Sequence, residues 1–147
     1  IDGMNELLQD ALAKGARQFT LGNEVAEYGN FFNPKVLVDV DDSMKIVHEE
    51  IFGPIATLIR FSDENEVITR ANNTIYGLAA YFFSRDVSRV YRVAEKLQSG
   101  MVGINTGLIS NEVAPFGGVK QSGLGKEGSR YGIEDYLSTK YLCLDIE

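Results

Sequence analysis

The chain has 147 residues, a net charge of −7 at pH 7 and 44% hydrophobic residues, values typical of one folded domain with a core of its own. Lysine and arginine are mixed with the acidic residues along the chain. Because nucleic-acid binding needs a concentrated basic surface, we expect no nucleic-acid partner. The apolar runs fall far short of the about 18 residues that a bilayer-spanning helix needs, so we expect no membrane partner either.

Cysteine and histidine each occur once, as Cys143 and His48. A single cysteine excludes an internal disulfide, and the pair argues against a zinc site. This composition is consistent with the reducing cytoplasm, where we expect the protein to reside. The first twenty residues carry acidic side chains and show no signal peptide, and the chain opens with Ile1. We therefore expect this chain to be a piece of a longer natural protein.

Predicted elements of the first part of the chain are a helix and several short strands. Apolar residues recur at helical spacing up to Gly15, which is typical of a helix end. Asp41-Asp42-Ser43 supplies capping side chains ahead of a helical turn. In chain order, the patterns predict a helix over about residues 2–14, strands over 19–21 and 35–40, a helical turn over 44–47 and a strand over 57–61.

The middle of the chain alternates helices with strands. Asp63 and Glu66 form a capping-box pattern for a helix that runs to about Asn72, and a strand over 78–83 follows. A helix begins after Asp86 and ends near Gly100. Its apolar stripe is the clearest in the chain, with Val87, Val90, Tyr91, Ala94 and Leu97. With a further strand over 102–105, this alternation predicts βαβ units and a parallel sheet with helices on both faces.

The last part of the chain is a long loop followed by a short helix and a strand. Residues 106–130 are rich in glycine and serine, and loops of this length are usually functional or disordered. A short helix is predicted over 129–136. Residues 139–146 then alternate as in a strand, with apolar side chains on one face. An unpaired strand at a chain end is a hazard, so we expect it to pair with another chain and the protein to form a homo-oligomer.

The first motif that carries chemistry is Glu49-Glu50-Ile51-Phe52-Gly53-Pro54. Two solvated charges before a turn are its plain structural interpretation. The functional interpretation is that a carboxylate accepts hydrogen bonds from both hydroxyls of a ribose. Phe52 would then lie against a nicotinamide ring as a flat apolar wall.

The second motif is Pro115-Phe116-Gly117-Gly118-Val119-Lys120-Gln121-Ser122-Gly123, which continues through Gly125, Glu127, Tyr131-Gly132 and Tyr136. A generic glycine-rich loop is the plain alternative. The glycines would let the backbone take positive φ and approach a ligand closely. Their spacing fits neither a Walker phosphate loop nor the dinucleotide fingerprint.

Together the two motifs resemble the C-terminal part of the NAD(P)-dependent aldehyde dehydrogenases. The resemblance implies that Glu50 binds the nicotinamide ribose, that Phe52 lies beside the ring, and that Phe116 belongs to the aromatic wall of the substrate tunnel. It also implies an α/β fold: a parallel-sheet, helix-flanked C-terminal portion of the catalytic domain over residues 1–136, with a C-terminal oligomerisation strand over 137–147.

Substrate class follows from a narrower resemblance, to the succinate-semialdehyde dehydrogenases. It rests on Gly107-Leu108-Ile109-Ser110, on residues 119–125 of the second motif and on the ending Lys140-Tyr141-Leu142-Cys143. The residue that matches Ser110 helps to hold the distal carboxylate of the substrate in those enzymes, whereas the alternative for Ser110 is a turn serine. Their carboxylate-binding arginines have no match here. For His48 we expect a place on the surface or in a loop, and for Cys143 a packing role in the last strand.

The resemblance also shows what the chain lacks. In the family a cysteine thiolate forms a thiohemiacetal with the aldehyde, hydride passes to NAD or NADP, and a glutamate-activated water releases the acid. Neither the cysteine motif nor the glutamate motif occurs here, so we assign no catalytic residue, and the chain alone is expected to be inactive with weak or no cofactor binding. NAD and NADP cannot be distinguished. The alternatives are a stand-alone oligomerisation or regulatory piece, and a small ligand-binding domain with chance motifs.

Overall fold

A computed structural model of the chain describes residues 1–20, 22 and 29–146. Leu21, the predicted end of the first strand, and Glu147, the end of the predicted C-terminal strand, lie outside the described residues. The chain divides into two compact units, Ile1–Ser62 and Asp63–Glu147. The fold is mixed α/β, as the sequence predicts.

The first unit is built on one helix and a three-stranded sheet. Its elements are α1 (Asp2–Ala13), β1 (Arg17–Thr20), β2 (Lys35–Val38), a 3₁₀ helix at Lys45–Val47 and β3 (Ile55–Thr57). The predicted helix and helical turn are thus confirmed. Apolar side chains from α1, the sheet and the 3₁₀ segment form the core of this unit, which consists of Leu7, Leu8, Ala11, Ala16, Leu37, Val40, Met44, Ile46 and Ile55.

The sheet of the first unit is mixed, so the prediction of a purely parallel sheet is wrong for β1. The strand order is β1-β2-β3, and β1 pairs antiparallel with β2, whereas β2 and β3 are parallel. Parallel neighbours are joined by a crossover connection that is usually a helix, and the sequence predicts no helix between the strands at 19–21 and 35–40. The alternation of strands with helices in the later sequence therefore does not predict whether β1 pairs parallel or antiparallel with β2.

The C-terminal ends of β2 and β3 both come earlier than predicted, for one physical reason. The second strand ends at Val38, not at residue 40, because Asp39 has a φ of 58°, in the left-handed region that breaks a ladder. Since β2 is short, its parallel partner is short as well and covers Ile55–Thr57, not residues 57–61. The last backbone hydrogen bond from this strand runs from the amide of Leu58 to the carbonyl oxygen of Leu37, at 2.8 Å.

The predicted capping side chain does not cap the 3₁₀ helix but binds within the turn before it. The carboxylate of Asp41 accepts hydrogen bonds from the amide of Ser43 at 2.8 Å and from its hydroxyl at 2.6 Å, whereas the residue at the N-cap of the 3₁₀ helix is Met44. Asp41 therefore shapes the turn that precedes the helix.

The second unit contains a βαβ unit, as predicted. Its elements are α2 (Glu64–Asn72), β4 (Ala79–Phe82), α3 (Val87–Lys96), β5 (Met101–Ile104) and 3₁₀ helices at Lys120–Ser122 and Glu134–Tyr136. Strands β4 and β5 are parallel and paired from Ala79 with Met101 to Phe82 with Ile104. Of the helix predicted over 129–136, only the last three residues form a helical turn.

Both helices of this unit begin where the sequence predicts. The carboxylate of Asp63 accepts from the amides of Asn65 and Glu66, and that of Asp86 accepts from the amide of Arg89. Helix α3 ends at Lys96, before the predicted end near Gly100, and its predicted apolar stripe is only partly covered, because Val87 and Tyr91 are exposed.

An ion cluster links α2 to α3. Glu64 on α2 accepts a bidentate hydrogen bond from Arg92, at 2.5 and 2.9 Å, and a further one from Arg89 at 3.1 Å. The guanidinium of Arg92, and next that of Arg89, hold the pKa of Glu64 at about 2, well below the usual value for a glutamate. Glu64 is therefore ionised at neutral pH, and the charge of this cluster is lost only as the pH falls toward about 2.

The C-terminal segment does not form a strand within the single chain. Residues 137–146 have no regular secondary structure in the described part of the chain, and all of them are exposed. A strand needs a neighbouring strand for its backbone hydrogen bonds, and the residues that the structure describes offer none to this segment. Pairing with another chain therefore remains a prediction.

Candidate functional site

The first motif forms a turn that is anchored on both sides of Phe52. Ile51 packs against the core of the first unit, and the carbonyl oxygen of Pro54 accepts the amide of Lys35 on β2 at 2.9 Å. The amide of Ile55 donates to the carbonyl oxygen of Gly53 at 2.8 Å, which closes a tight turn. Phe52, between these anchors, and Glu50, just before them, are both exposed to solvent.

Phe52 combines two unfavourable features. Its side chain is 90% exposed, and its φ is 43°, a left-handed conformation that a bulky residue rarely adopts. Strained backbone of this kind persists where the surrounding structure fixes it, and it is concentrated at ligand-binding sites. A large flat ring presented to solvent on a fixed turn fits the role of a wall for a planar ligand such as nicotinamide, with the carboxylate of Glu50 two residues away to accept hydroxyl protons.

The strain at Phe52 predicts an unusual order of stabilities. Glycine normally lowers stability relative to alanine, because it leaves the unfolded chain more freedom. At residue 52, where φ is positive, we expect Phe52→Gly to be more stable than Phe52→Ala by about 1 kcal/mol in urea denaturation. The matched control is Phe61, which is also exposed but has no positive φ, and there the alanine variant should be the more stable one. The same order at both positions would contradict the strain.

Phe116 lies in the second unit, in a hairpin-like arrangement with Glu127. The two residues exchange backbone hydrogen bonds of 2.9 and 2.7 Å and form an isolated antiparallel bridge. Phe116 is half-buried and lines an open cleft of about 670 Å³. Lys126 and Tyr136 contribute to the same cleft. Its volume lies within the range of small-molecule sites, so an aromatic wall at this point can contact a ligand.

The glycines of the second motif approach protein backbone, which the sequence did not reveal. The carbonyl oxygen of Gly77 accepts from the amides of Gly100 and Val119, at 2.9 and 3.0 Å, and the amide of Gly77 donates to the hydroxyl of Ser122 at 2.9 Å. A Cβ at Gly100 would lie 2.0 Å from the carbonyl oxygen of Gly117. The motif thus packs its own backbone against the start of β4 and β5, a role that a sequence pattern alone does not distinguish from ligand contact.

Ser110 lies on the same long loop as Phe116 and is exposed. The turn that follows it is made by its neighbour, because the carboxamide oxygen of Asn111 accepts the amide of Val113 at 2.9 Å. The hydroxyl of Ser110 is therefore at the surface of the loop, and its role in substrate binding remains a prediction.

Of the predicted site residues, Glu50 and Phe52 share one turn of the first unit, and Ser110 and Phe116 share one loop of the second. His48 is exposed, as expected, and its Nε2 donates to the carbonyl oxygen of Asp42 at 2.7 Å. Cys143 is exposed, so the packing role expected for it is not found within the single chain.

Two further features are absent from the part of the chain that the structure describes. Over residues 1–20, 22 and 29–146, no helix is long and apolar enough to cross a membrane. Within those same ranges, no group of three or more histidine, cysteine, aspartate or glutamate residues could hold a metal ion.

Comparison with known proteins gives consistent matches over almost the whole chain. The sequence profile of the aldehyde dehydrogenase family matches residues 1–142. The chain is 60% identical over 143 residues to a glutarate-semialdehyde dehydrogenase of Pseudomonas putida, a match that covers 97% of this chain and 29% of the relative. It is 59% identical over 143 residues to the NADP-dependent succinate-semialdehyde dehydrogenase of Escherichia coli K12, covering 97% of this chain and 30% of that relative.

Solved structures agree with the sequence matches. A crystal structure of an E. coli NADP-dependent enzyme superposes with a TM-score of 0.93 at 58% identity, covering 99% of this chain and 30% of that chain. A succinate-semialdehyde dehydrogenase from Burkholderia pseudomallei gives a TM-score of 0.92, also at 58% identity and with 99% and 30% covered. This chain therefore spans less than a third of the length of the relatives it matches.

Proposed function

The chain belongs to the aldehyde dehydrogenase family, and on that premise we propose that it is the C-terminal portion of an enzyme that oxidises a semialdehyde, with succinic semialdehyde as the first candidate, to its carboxylic acid with NAD or NADP. The observation that carries the proposal is the identity of about 60% with relatives whose names share one type of substrate. Glutarate semialdehyde and succinate semialdehyde are both short aldehydes with a carboxylate at the far end.

On the substrate side we assign Phe116 and Ser110. Phe116 would form one apolar wall beside the carbon chain of the substrate, which its place on the cleft supports. Ser110 would donate its hydroxyl proton to the distal carboxylate. An exposed hydroxyl on a loop is free to turn toward an anion, and a hydrogen bond to a charged partner is stronger than one to a neutral group.

On the cofactor side we assign Glu50 and Phe52. Carboxylate oxygens of Glu50 would accept hydrogen bonds from the hydroxyls of the nicotinamide ribose, and the ring of Phe52 would support the nicotinamide. When bound, the nicotinamide supplies the hydride acceptor of the reaction. The exposed ring of Phe52 on its strained turn supports this assignment, since binding would cover an apolar surface that the chain leaves open to water.

The covalent step belongs to groups that this chain does not supply. We propose that a cysteine thiolate in another part of the enzyme attacks the aldehyde carbon and forms the thiohemiacetal, and that a glutamate there activates the water that releases the acid. The only cysteine here, Cys143, lies in the exposed C-terminal segment. We place the enzyme in the cytoplasm.

We also propose that the enzyme is a homo-oligomer that pairs through the exposed residues 137–146. Their side chains include Tyr141, Leu142, Leu144 and Ile146, all of them exposed in the single chain. Sedimentation of the chain with and without residues 137–147 tests this, and the shortened chain should lose the association.

The test of the enzymatic proposal is a chimera in which residues 1–147 replace the matching region of the E. coli relative. We expect NADP-dependent oxidation of succinic semialdehyde within about tenfold of the relative itself, because the two chains share 59% of their residues over the match. In the chimera, Ser110→Ala should raise KM for succinic semialdehyde by about tenfold, the loss expected for one hydrogen bond to a charged group, and leave KM for butanal unchanged. A folded chimera that binds NADP but does not oxidise the aldehyde would contradict the proposal.

A further inference from the structure

Lys120, in the second motif, has an unusual conformation and an unusual set of partners. Its φ is 55°, in the left-handed region, and its side chain is half-buried. The ammonium donates hydrogen bonds to the carbonyl oxygens of Asn72 at 2.8 Å and Thr74 at 3.1 Å. Asn72 is the last residue of α2, where carbonyl groups lack partners within the helix and carry the negative end of its dipole. Lys120 therefore places its charge where backbone carbonyls need a donor.

Three further hydrogen bonds join the same two segments. The amide of Val119 donates to the carbonyl oxygen of Gly77 and that of Gln121 to the carbonyl oxygen of Ile75, both at 3.0 Å. The amide of Gly77 donates to the hydroxyl of Ser122 at 2.9 Å. We refer to residues 72–77 and 119–122, joined in this way, as the clasp.

The second segment of the clasp, residues 119–122, begins three residues after Phe116. It fixes one end of the loop that carries Phe116. On its other side, Phe116 forms its bridge with Glu127, and the ammonium of the neighbouring Lys126 donates to the carbonyl oxygen of Gly118 at 2.7 Å. The short segment that carries Phe116 is thus held between the clasp and this bridge. A change at either end would move the ring.

We propose that Lys120 is a positioning residue: through the clasp, its two hydrogen bonds to the end of α2 set the place of the Phe116 ring on the substrate side of the site. The inference rests on the function proposed above for Phe116. Lys120 itself contacts backbone carbonyls, and it acts on the substrate through the loop. The hydrogen bonds of the ammonium to Asn72 and Thr74 are among the contacts that hold the backbone of Lys120 in its left-handed conformation.

Hydrogen exchange on the 147-residue chain tests the structural half of the proposal. Lys120→Met keeps the apolar stem and removes the donors, so the amides of Phe116, Val119 and Gln121 should exchange about tenfold faster or more. The amide of Met101, which donates to Leu78 at the start of β5, should keep its rate and so report that the unit remains folded. Lys140→Met removes the same charge from the exposed C-terminal segment and should change none of these rates.

Two outcomes of the exchange experiment would overturn the proposal. Lys120→Gly relieves the left-handed backbone and also removes the ammonium, so it should accelerate exchange as much as Lys120→Met. If these amides exchange at the wild-type rate in Lys120→Gly, the faster exchange in Lys120→Met is caused by backbone strain and not by loss of the ammonium. Equal acceleration at Met101 would show that Lys120 supports the whole unit and not the loop.

Kinetics in the chimera test the functional half. Lys120→Met should raise KM for succinic semialdehyde by about tenfold, while kcat and KM for NADP change by less than about twofold. Equal impairment of KM for succinic semialdehyde, kcat and KM for NADP would overturn the positioning role, and so would no change in any of them. If the unsubstituted chimera is inactive, the proposed function fails, whereas the exchange of Phe116 and Val119 still decides whether Lys120 holds the loop.

Discussion

The purified 147-residue chain is expected to oxidise succinic semialdehyde, with NAD or NADP, no faster than a heat-denatured sample of the same chain. Removal of the nucleophile of a well-studied hydrolase lowers kcat by about 10⁶, and the same order of loss is expected where covalent catalysis has no nucleophile. The measurement is the absorbance of reduced cofactor over hours at high chain concentration, since a loss of this size must be separated from background.

The two residues that could replace the missing groups are badly placed to do so. Cys143 is exposed near the end of the chain, and His48 uses its Nε2 for a hydrogen bond to a backbone carbonyl. A thiol is activated for attack by a neighbouring base or positive charge that the fold holds in place. Cys143→Ser is therefore the matched control and should give the same baseline. Turnover that disappears in Cys143→Ser would contradict the prediction and identify a nucleophile within the chain.

Gly100→Ala is expected to destabilise the second unit by about 3 kcal/mol, at the upper end of the cost of overpacking. The added Cβ would lie 2.0 Å from the carbonyl oxygen of Gly117 and 2.8 Å from the Cα of Gly118. Both are backbone atoms, so no side chain can rotate away to make room. The second motif would have to leave the start of β5, and the hydrogen bond from Gly100 to Gly77 would be lost with it.

The control for this substitution is a glycine of the adjoining loop. Gly107 has no heavy atom within 4 Å of an added Cβ and no positive φ, so Gly107→Ala should change stability by less than about 0.5 kcal/mol. The measurement is urea denaturation followed by circular dichroism, with the midpoint compared between the two variants. Equal midpoints would show that the second motif does not pack against Gly100.

Sequence patterns predicted the elements whose cause is local. Helix α1 follows from its apolar spacing, and α2 and α3 begin after Asp63 and Asp86 because each carboxylate accepts amide protons of the first turn. Strands β4 and β5 around α3 were predicted as a parallel pair because the strand-helix-strand order favours a crossover.

Features that depend on a partner elsewhere in the chain were not predicted. The direction of β1 and the ends of β2 and β3 depend on which strand lies alongside and where Asp39 breaks the ladder. Residues 137–146 are exposed because no strand among the described residues pairs with them. The roles of Glu50, Phe52, Ser110 and Phe116 still rest on the resemblance and stay predictions.

By itself, the sequence determined the family and the local starts of the helices, because motif wording and capping side chains act within a few residues. Only the tertiary structure decided what the second motif contacts. Its glycines and Lys120 meet Gly77, Gly100 and the end of α2, which are distant in the chain, so no local pattern distinguishes this packing from contact with a ligand. The fold brings these residues together and so forms the clasp that holds the loop of Phe116. The fold also gives Phe52 its left-handed backbone conformation and its exposure.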